Sequence, residues 1–117
     1  VNITAHEVLT CDVCGRRIER LRSAMLAWTV ESDDRVSALR LSHKGECDDD
    51  KRYYFDELDV YAHPAWALRK LMHLHLFYLF TAEQARRLAL IAWAASAVAT
   101  AEEKRRSVSY GQFLMSM

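Results

Sequence analysis

Cys11, Cys14, His43 and Cys47 constrain this 117-residue chain more than any other feature, because they use every cysteine it has. The spacing is C-x2-C, a long insert, then H-x3-C. Two thiolates on one tight turn, met by a second pair from elsewhere in the fold, are the ligand pattern of a tetrahedral site. Zn2+ is the ion that such a mixture of sulfur and imidazole suits. A site of this kind forces the insert to double back on itself.

The insert has the composition to do so. Residues 24–31 (AMLAWTVE) read as a strand with a β-branched and aromatic end, residues 32–35 as a turn, and residues 36–41 as a returning strand. A hairpin of this length brings Cys14 and His43 back to the same end. Gly15 permits the left-handed step that closes a cysteine knuckle. Gly45 argues against a regular helix carrying both His43 and Cys47, so a loop or the edge of a short helix is expected there.

Cys11-Asp12-Val13-Cys14-Gly15 resembles the knuckle of zinc-ribbon and treble-clef modules. Small bacterial zinc proteins with C-x2-C-G-x2-I, a tryptophan-bearing strand and a later His/Cys pair are similar over the amino-terminal part. That resemblance implies a zinc module and no particular activity. Four protein ligands leave no coordination position for water, so the expected role is structural. A redox reading of Cys11 and Cys14 requires a helix after the pair inside a thioredoxin-like unit, and Arg16-Arg17-Ile18-Glu19-Arg20 lacks the apolar face. His6 and Asp48 are the substitutes should His43 be misplaced.

Beyond the second ligand pair, residues 48–52 form a charged loop and Tyr53-Tyr54-Phe55 a short strand or aromatic plug. Residues 56–61 read as an irregular connector. Pro64 suits the first turn of a helix over residues 64–79. Thr81 with Gln84 is a capping box that opens a second helix, expected over residues 81–105 and ending at Lys104-Arg105-Arg106. So short a connection makes the pair an antiparallel hairpin. The expected fold is α+β: a zinc-stabilised β-ribbon in residues 1–60, then a helical hairpin with a carboxy-terminal tail in residues 61–117.

Helical spacing sorts the apolar residues into stripes. Ala67, Leu71, Leu74 and Tyr78 share one, and Leu68, Met72, His75 and Leu79 its neighbour, which makes His75 an expected interior histidine. In the second helix Ala85, Ala89, Ala92, Ser96 and Ala99 form a stripe of small residues. Leu88, Ile91, Ala95 and Val98 form a second, and Leu90 and Trp93 lie in a third. A helix apolar all round needs cover on all sides. Homodimerisation supplies it, or the tail over residues 110–117 folds back as a lid.

Charge excludes little. The chain carries 16 basic and 16 acidic residues, but residues 1–60 are net negative and residues 61–117 net positive. Arg69, Lys70, Arg86, Arg87, Lys104, Arg105 and Arg106 could offer phosphates a surface, although they are scattered. The three cysteines cannot all pair, which fits a reducing, cytoplasmic setting, and the longest apolar stretch is too short for a bilayer. Neither Asp48-Asp49-Asp50 nor the Asp56-Glu57-Asp59 cluster has calcium-loop spacing. Once a metal claims the cysteines, no nucleophile with a neighbouring base remains. The expectation is therefore a non-enzymatic interaction or adaptor protein, a class that includes regulators. Its candidate contacts with a protein partner are Trp28, Tyr53, Tyr54 and Phe55; the other reading is that these aromatics pack the small core behind the metal site, which is the expected place of Trp28. The alternative is a nucleic-acid-binding regulator using the basic helices.

Overall fold

The computed structural model describes residues 3–47 and 54–116, and only the backbone of 110–116. A four-residue helix α1 (Ala5–Val8) is closed by a Thr4/Glu7 capping box. A 3-10 turn (Leu21–Ser23) leads into strand β1 (Ala24–Val30), followed by β2 (Val36–His43) and β3 (Tyr54–Glu57). A second 3-10 turn (Leu58–Tyr61) precedes helices α2 (Pro64–Phe77), α3 (Ala82–Val98) and α4 (Ala101–Ser116). The coarse expectation of a mixed fold holds: the described residues form a three-stranded antiparallel sheet and four helices.

The β1–β2 hairpin forms in the expected place, with Ala24 opposite His43 and Thr29 opposite Ala38. Its turn relies on Asp34 at φ 68, a left-handed position that aspartate tolerates better than most side chains. The aromatic segment after the charged loop is a true strand, and it pairs with β1 on the side away from β2. The sheet order is therefore β2-β1-β3. This makes β1 a central strand, and Ala24 to Trp28 are all buried although alternate residues face opposite sides.

The expected connector over residues 56–61 is instead the hub of the molecule. All four residues of the 3-10 turn are buried, and Tyr61 is fully enclosed. The acidic cluster there is not a solvated surface. Asp56 accepts a hydrogen bond from the Tyr61 hydroxyl at 2.9 Å and pairs with Lys70 of α2 at 3.1 Å. Asp59 pairs with Arg106 of α4 at 3.4 Å, and Glu57 with Lys44 at 2.7 Å. Ser107 of α4 donates to the Val60 carbonyl at 2.8 Å and accepts from the His63 N–H at 3.3 Å.

The helix expected over residues 81–105 is two helices. α3 ends at Val98, and Thr100 opens α4 by accepting from the Glu103 N–H at 3.1 Å while Glu103 accepts from the Thr100 N–H at 2.9 Å. Thr100-x-x-Glu103 is thus a further capping box, after those at Thr4 and Thr81, lying inside a continuous apolar-periodic run, and it redirects the chain. Glu103 also accepts from the Leu21 N–H at 3.1 Å, tying α4 to the entrance of the sheet. The tail continues α4 as helix through Ser116.

One buried cluster draws on both spans of the chain, from Leu9, Leu26 and Leu41 to Leu74, Leu88 and Ile91. α3 turns Leu88, Ile91, Ala92 and Ala95 into it and leaves Leu90 and Trp93 exposed. The first α2 stripe is partly buried as expected, through Ala67 and Leu74. The second is not: Leu68, Met72, His75 and Leu79 are all exposed, so His75 is a surface histidine resting edge-on against Phe80. Among the described residues, no helix is long and apolar enough to cross a membrane.

Two outcomes test this architecture. Thr100→Ala should lower stability by about 1 kcal/mol in urea melts, the usual cost of losing an amino-terminal cap. Burial pushes the Asp56 carboxyl above its ordinary value, against the opposing pull of Lys70 and Tyr61. The folded state then holds a proton that the unfolded state has already lost, so this group's contribution falls as pH rises from the ordinary aspartate range through its raised value. The wild-type minus Asp56→Asn stability difference should decline over that window, and a flat difference would contradict the burial.

Candidate metal centre

The first ligand pair sits at the tip of a small loop. The Ile18 N–H donates to the Leu9 carbonyl at 2.9 Å, and the Cys11 N–H to the Arg16 carbonyl at 2.9 Å. Gly15, at φ 76, closes the turn by donating to the Cys11 carbonyl at 3.0 Å. The thiol sulfur of Cys11 lies 3.4 Å from the Val13 N–H nitrogen and 3.5 Å from that of Cys14. This is the knuckle geometry read from the sequence, with backbone donors aimed at a sulfur anion.

β2 delivers the second pair. His43 is its last residue, and one turn later the Cys47 N–H donates to the His43 carbonyl at 3.1 Å, with Gly45 between them at φ 82. The turn is anchored where the Lys44 N–H donates to the Ser23 carbonyl at 2.8 Å. His43 Nδ1 lies 3.3 Å from Cys14 Sγ and 3.9 Å from Cys47 Sγ. All four ligand atoms of Cys11, Cys14, His43 and Cys47 lie within 4.8 Å of one another. Bonds of about 2.0–2.3 Å to a central ion give a tetrahedron with edges of about 3.5–3.8 Å. The group can hold a metal ion with little adjustment.

The electrostatics point the same way. Burial raises the Cys11 thiol, but the backbone N–H groups of Cys14, His43 and Val13 outweigh it and bring the thiol down to about 6. The backbone and guanidinium of Arg16 hold Cys14 below its ordinary value. Cys47 moves the other way, to about 11, because burial and then the neighbouring Cys11 and Cys14 sulfurs oppose a further negative charge. Burial works against a protonated His43, yet contact with those same two sulfurs raises its value overall. Three sulfurs this close resist becoming three thiolates, and a divalent cation among them removes that resistance.

The support behind the knuckle was not legible in the sequence. Asp12, between the first two cysteines, donates its N–H to the Leu41 carbonyl at 2.8 Å and accepts the Leu41 N–H on Oδ2 at 2.7 Å. Arg87 of α3 reaches both carboxylate oxygens of Asp12 at 2.7 Å and donates to the Leu39 carbonyl at 3.2 Å. The knuckle is thereby locked to the edge of β2 and to a helix far along the chain. The only signal was a carboxylate within C-x2-C, and nothing local pointed to its partner. Arg16 and Glu46 pair at 3.5 Å across the two halves, an exposed contact of small energetic weight.

The remaining sequence candidates fall elsewhere. His6 is exposed on α1 and outside the cluster, while Asp48, Asp49, Asp50 and Tyr53 lie beyond the described residues. No helix follows Cys14, so the thioredoxin-like setting for a redox pair is absent from the described residues around it. Trp28 is a core residue, its ring 6.4 Å from Tyr54 and 5.9 Å from Tyr78. Tyr54 and Phe55 are exposed. Of the seven helical cations, Lys70, Arg87 and Arg106 are engaged with Asp56, Asp12 and Asp59. No protein family, no curated protein and no solved structure matches the chain.

Elemental analysis of purified protein should find one metal ion per chain, and Cys11→Ser or Cys47→Ser should abolish it. Asp12→Ala leaves the ligands in place but frees the knuckle, so affinity in a chelator competition should fall about 10–100-fold, as for other supports behind ligands. Retention should weaken as pH falls, because protons compete for the thiolates.

Proposed function

We propose that the protein is a non-enzymatic interaction module whose amino-terminal half is stapled by a structural Zn2+. The observation that carries this reading is the donor set itself. Three cysteines and one histidine fill a tetrahedron with protein atoms, leaving no position for water or substrate, and their softness suits zinc above harder cations. A small domain gains rigidity from such a staple, and rigidity serves a surface that must present fixed side chains.

Self-association through the helices belongs to the same reading. On α3, Trp93 is 50% exposed and Leu90 37%, both in the stripe that faces away from the core. Ala89 and Ala97 beside them are small enough for a second helix to approach closely. Tyr54 and Phe55 remain as the aromatic contacts of the sheet side. The nucleic-acid reading loses ground, because three of its seven cations are already neutralised by carboxylates of the same chain.

The test is affinity capture from native extract together with sedimentation. The module should retain a protein that survives nuclease treatment and is released by a strong chelator, and Trp93→Asp should convert dimer to monomer. Nuclease-sensitive capture, with heparin retention that collapses as salt rises, would overturn the reading in favour of nucleic acid.

A further inference from the structure

One of the three cysteines is open to solvent. Cys14 is exposed, whereas Cys11 is 2% and Cys47 8% exposed. The turns that carry the ligands have no roof. Among the described residues, nothing beyond the chain neighbours comes within 4 Å of where a Cβ would stand on Gly15 or Gly45. A small oxidant therefore meets Cys14 first. As a metal ligand its sulfur is a thiolate, the nucleophilic form.

A partner for an oxidised Cys14 is already in place. The Cys14 backbone nitrogen lies 3.5 Å from Cys11 Sγ, and all four ligand atoms lie within 4.8 Å of one another. A disulfide needs its sulfurs about 2 Å apart, so Cys11 and Cys14 can bond by side-chain rotation within the turn they share. Cys47 belongs to a different turn. The Lys44 N–H of that turn donates to the Ser23 carbonyl at 2.8 Å, and Lys44 pairs with Glu57 at 2.7 Å. A bridge from Cys14 to Cys47 would have to draw two separately anchored turns together.

We propose that Cys14 is a site of oxidation by peroxide, and that its capture by Cys11 opens the metal centre reversibly. The Cys14 thiolate attacks one peroxide oxygen: an S–O bond forms, the O–O bond breaks and hydroxide leaves. The Cys11 thiolate then attacks the Cys14 sulfur, forming the S–S bond as the S–O bond breaks and a second hydroxide leaves. Each thiolate loses one electron, and hydrogen peroxide takes both. His43 and Cys47 alone are too few to retain the ion. The reaction is stoichiometric, unlike the dithiol catalysis of a thioredoxin-like pair, and a dithiol reductant reverses it.

The knuckle keeps its other anchors through this change. The Cys11 N–H bond to the Arg16 carbonyl, the Asp12 bonds to Leu41 and the Asp12–Arg87 pair do not pass through a sulfur. The staple opens while the loop stays seated on β2. The inference rests on the structural-metal reading and adds a chemical control to it.

The test treats the zinc-loaded full chain with hydrogen peroxide, against a peroxide-free control. A chromogenic chelator and a thiol reagent should record one ion released for every two thiols lost, with far-UV circular dichroism unchanged. Peptide mapping should place the bridge between Cys11 and Cys14 and leave Cys47 open to alkylation. A sulfenic-acid trap present during the reaction should label Cys14. Dithiothreitol with fresh Zn2+ should restore the loaded protein. A label on Cys11 or Cys47, a bridge to Cys47 or between chains, or a loaded protein whose ion and thiols withstand peroxide would each overturn the proposal and leave the structural-metal reading standing. A chain that takes up no Zn2+ would instead sink that reading, and the proposal with it.

Discussion

Crowding of like charge is the constraint around which this molecule is arranged. Three sulfurs and an imidazole converge within 4.8 Å, and Cys47 resists ionising first because it is buried and then because Cys11 and Cys14 are already beside it. A cation at the centre turns that repulsion into attraction. Without one, the turn at residues 43–47 is held by the Lys44 N–H to the Ser23 carbonyl and by the Lys44–Glu57 and Arg16–Glu46 pairs. An ion held there would add a bond from the knuckle to the His43 end of the hairpin.

The knuckle is not an appendage on this fold. Asp12 reads the edge of β2 through Leu41, and Arg87 reads Asp12, so the metal loop, the sheet and α3 share one hydrogen-bonded joint. A second joint lies at the 3-10 turn, where Asp56, Asp59 and Val60 bind α2 and α4. Between these joints runs a core made by both spans of the chain. Ion pairs that are partly withdrawn from water do more to fix orientation here than exposed ones such as Arg16–Glu46. Among the described residues, the outer stripe of α3 and the apolar side of α2 are left exposed.

Those faces follow from how the helices are rationed. A helix with two adjacent apolar stripes can bury one against its own domain and must leave the other for something else. α2 buries Ala67 and Leu74 and leaves Leu68, Met72 and Leu76; α3 buries Ile91 and leaves Trp93. The extra cover that α3 does receive comes from α1 and the 3-10 turn, elements too short to show a period.

Much of this was legible from residues alone. The ligand set, the β1–β2 hairpin, the Pro64 start and the Thr81 cap all depend on near neighbours, and local chemistry suffices to place them. The Thr100 cap was equally local but was masked by the apolar period running through it, and the Thr4 cap by the shortness of α1. What the sequence determined by itself was therefore the membership of the Cys11, Cys14, His43 and Cys47 cluster and the elements that carry it, because spacing and turn chemistry act over a few bonds. Which apolar stripe faces inward, where Asp12 finds its arginine, and how Asp56 and Asp59 become buried partners were decided only in the tertiary structure. Those outcomes depend on which surfaces meet across the fold, and residues dozens of positions apart carry no local mark of that meeting.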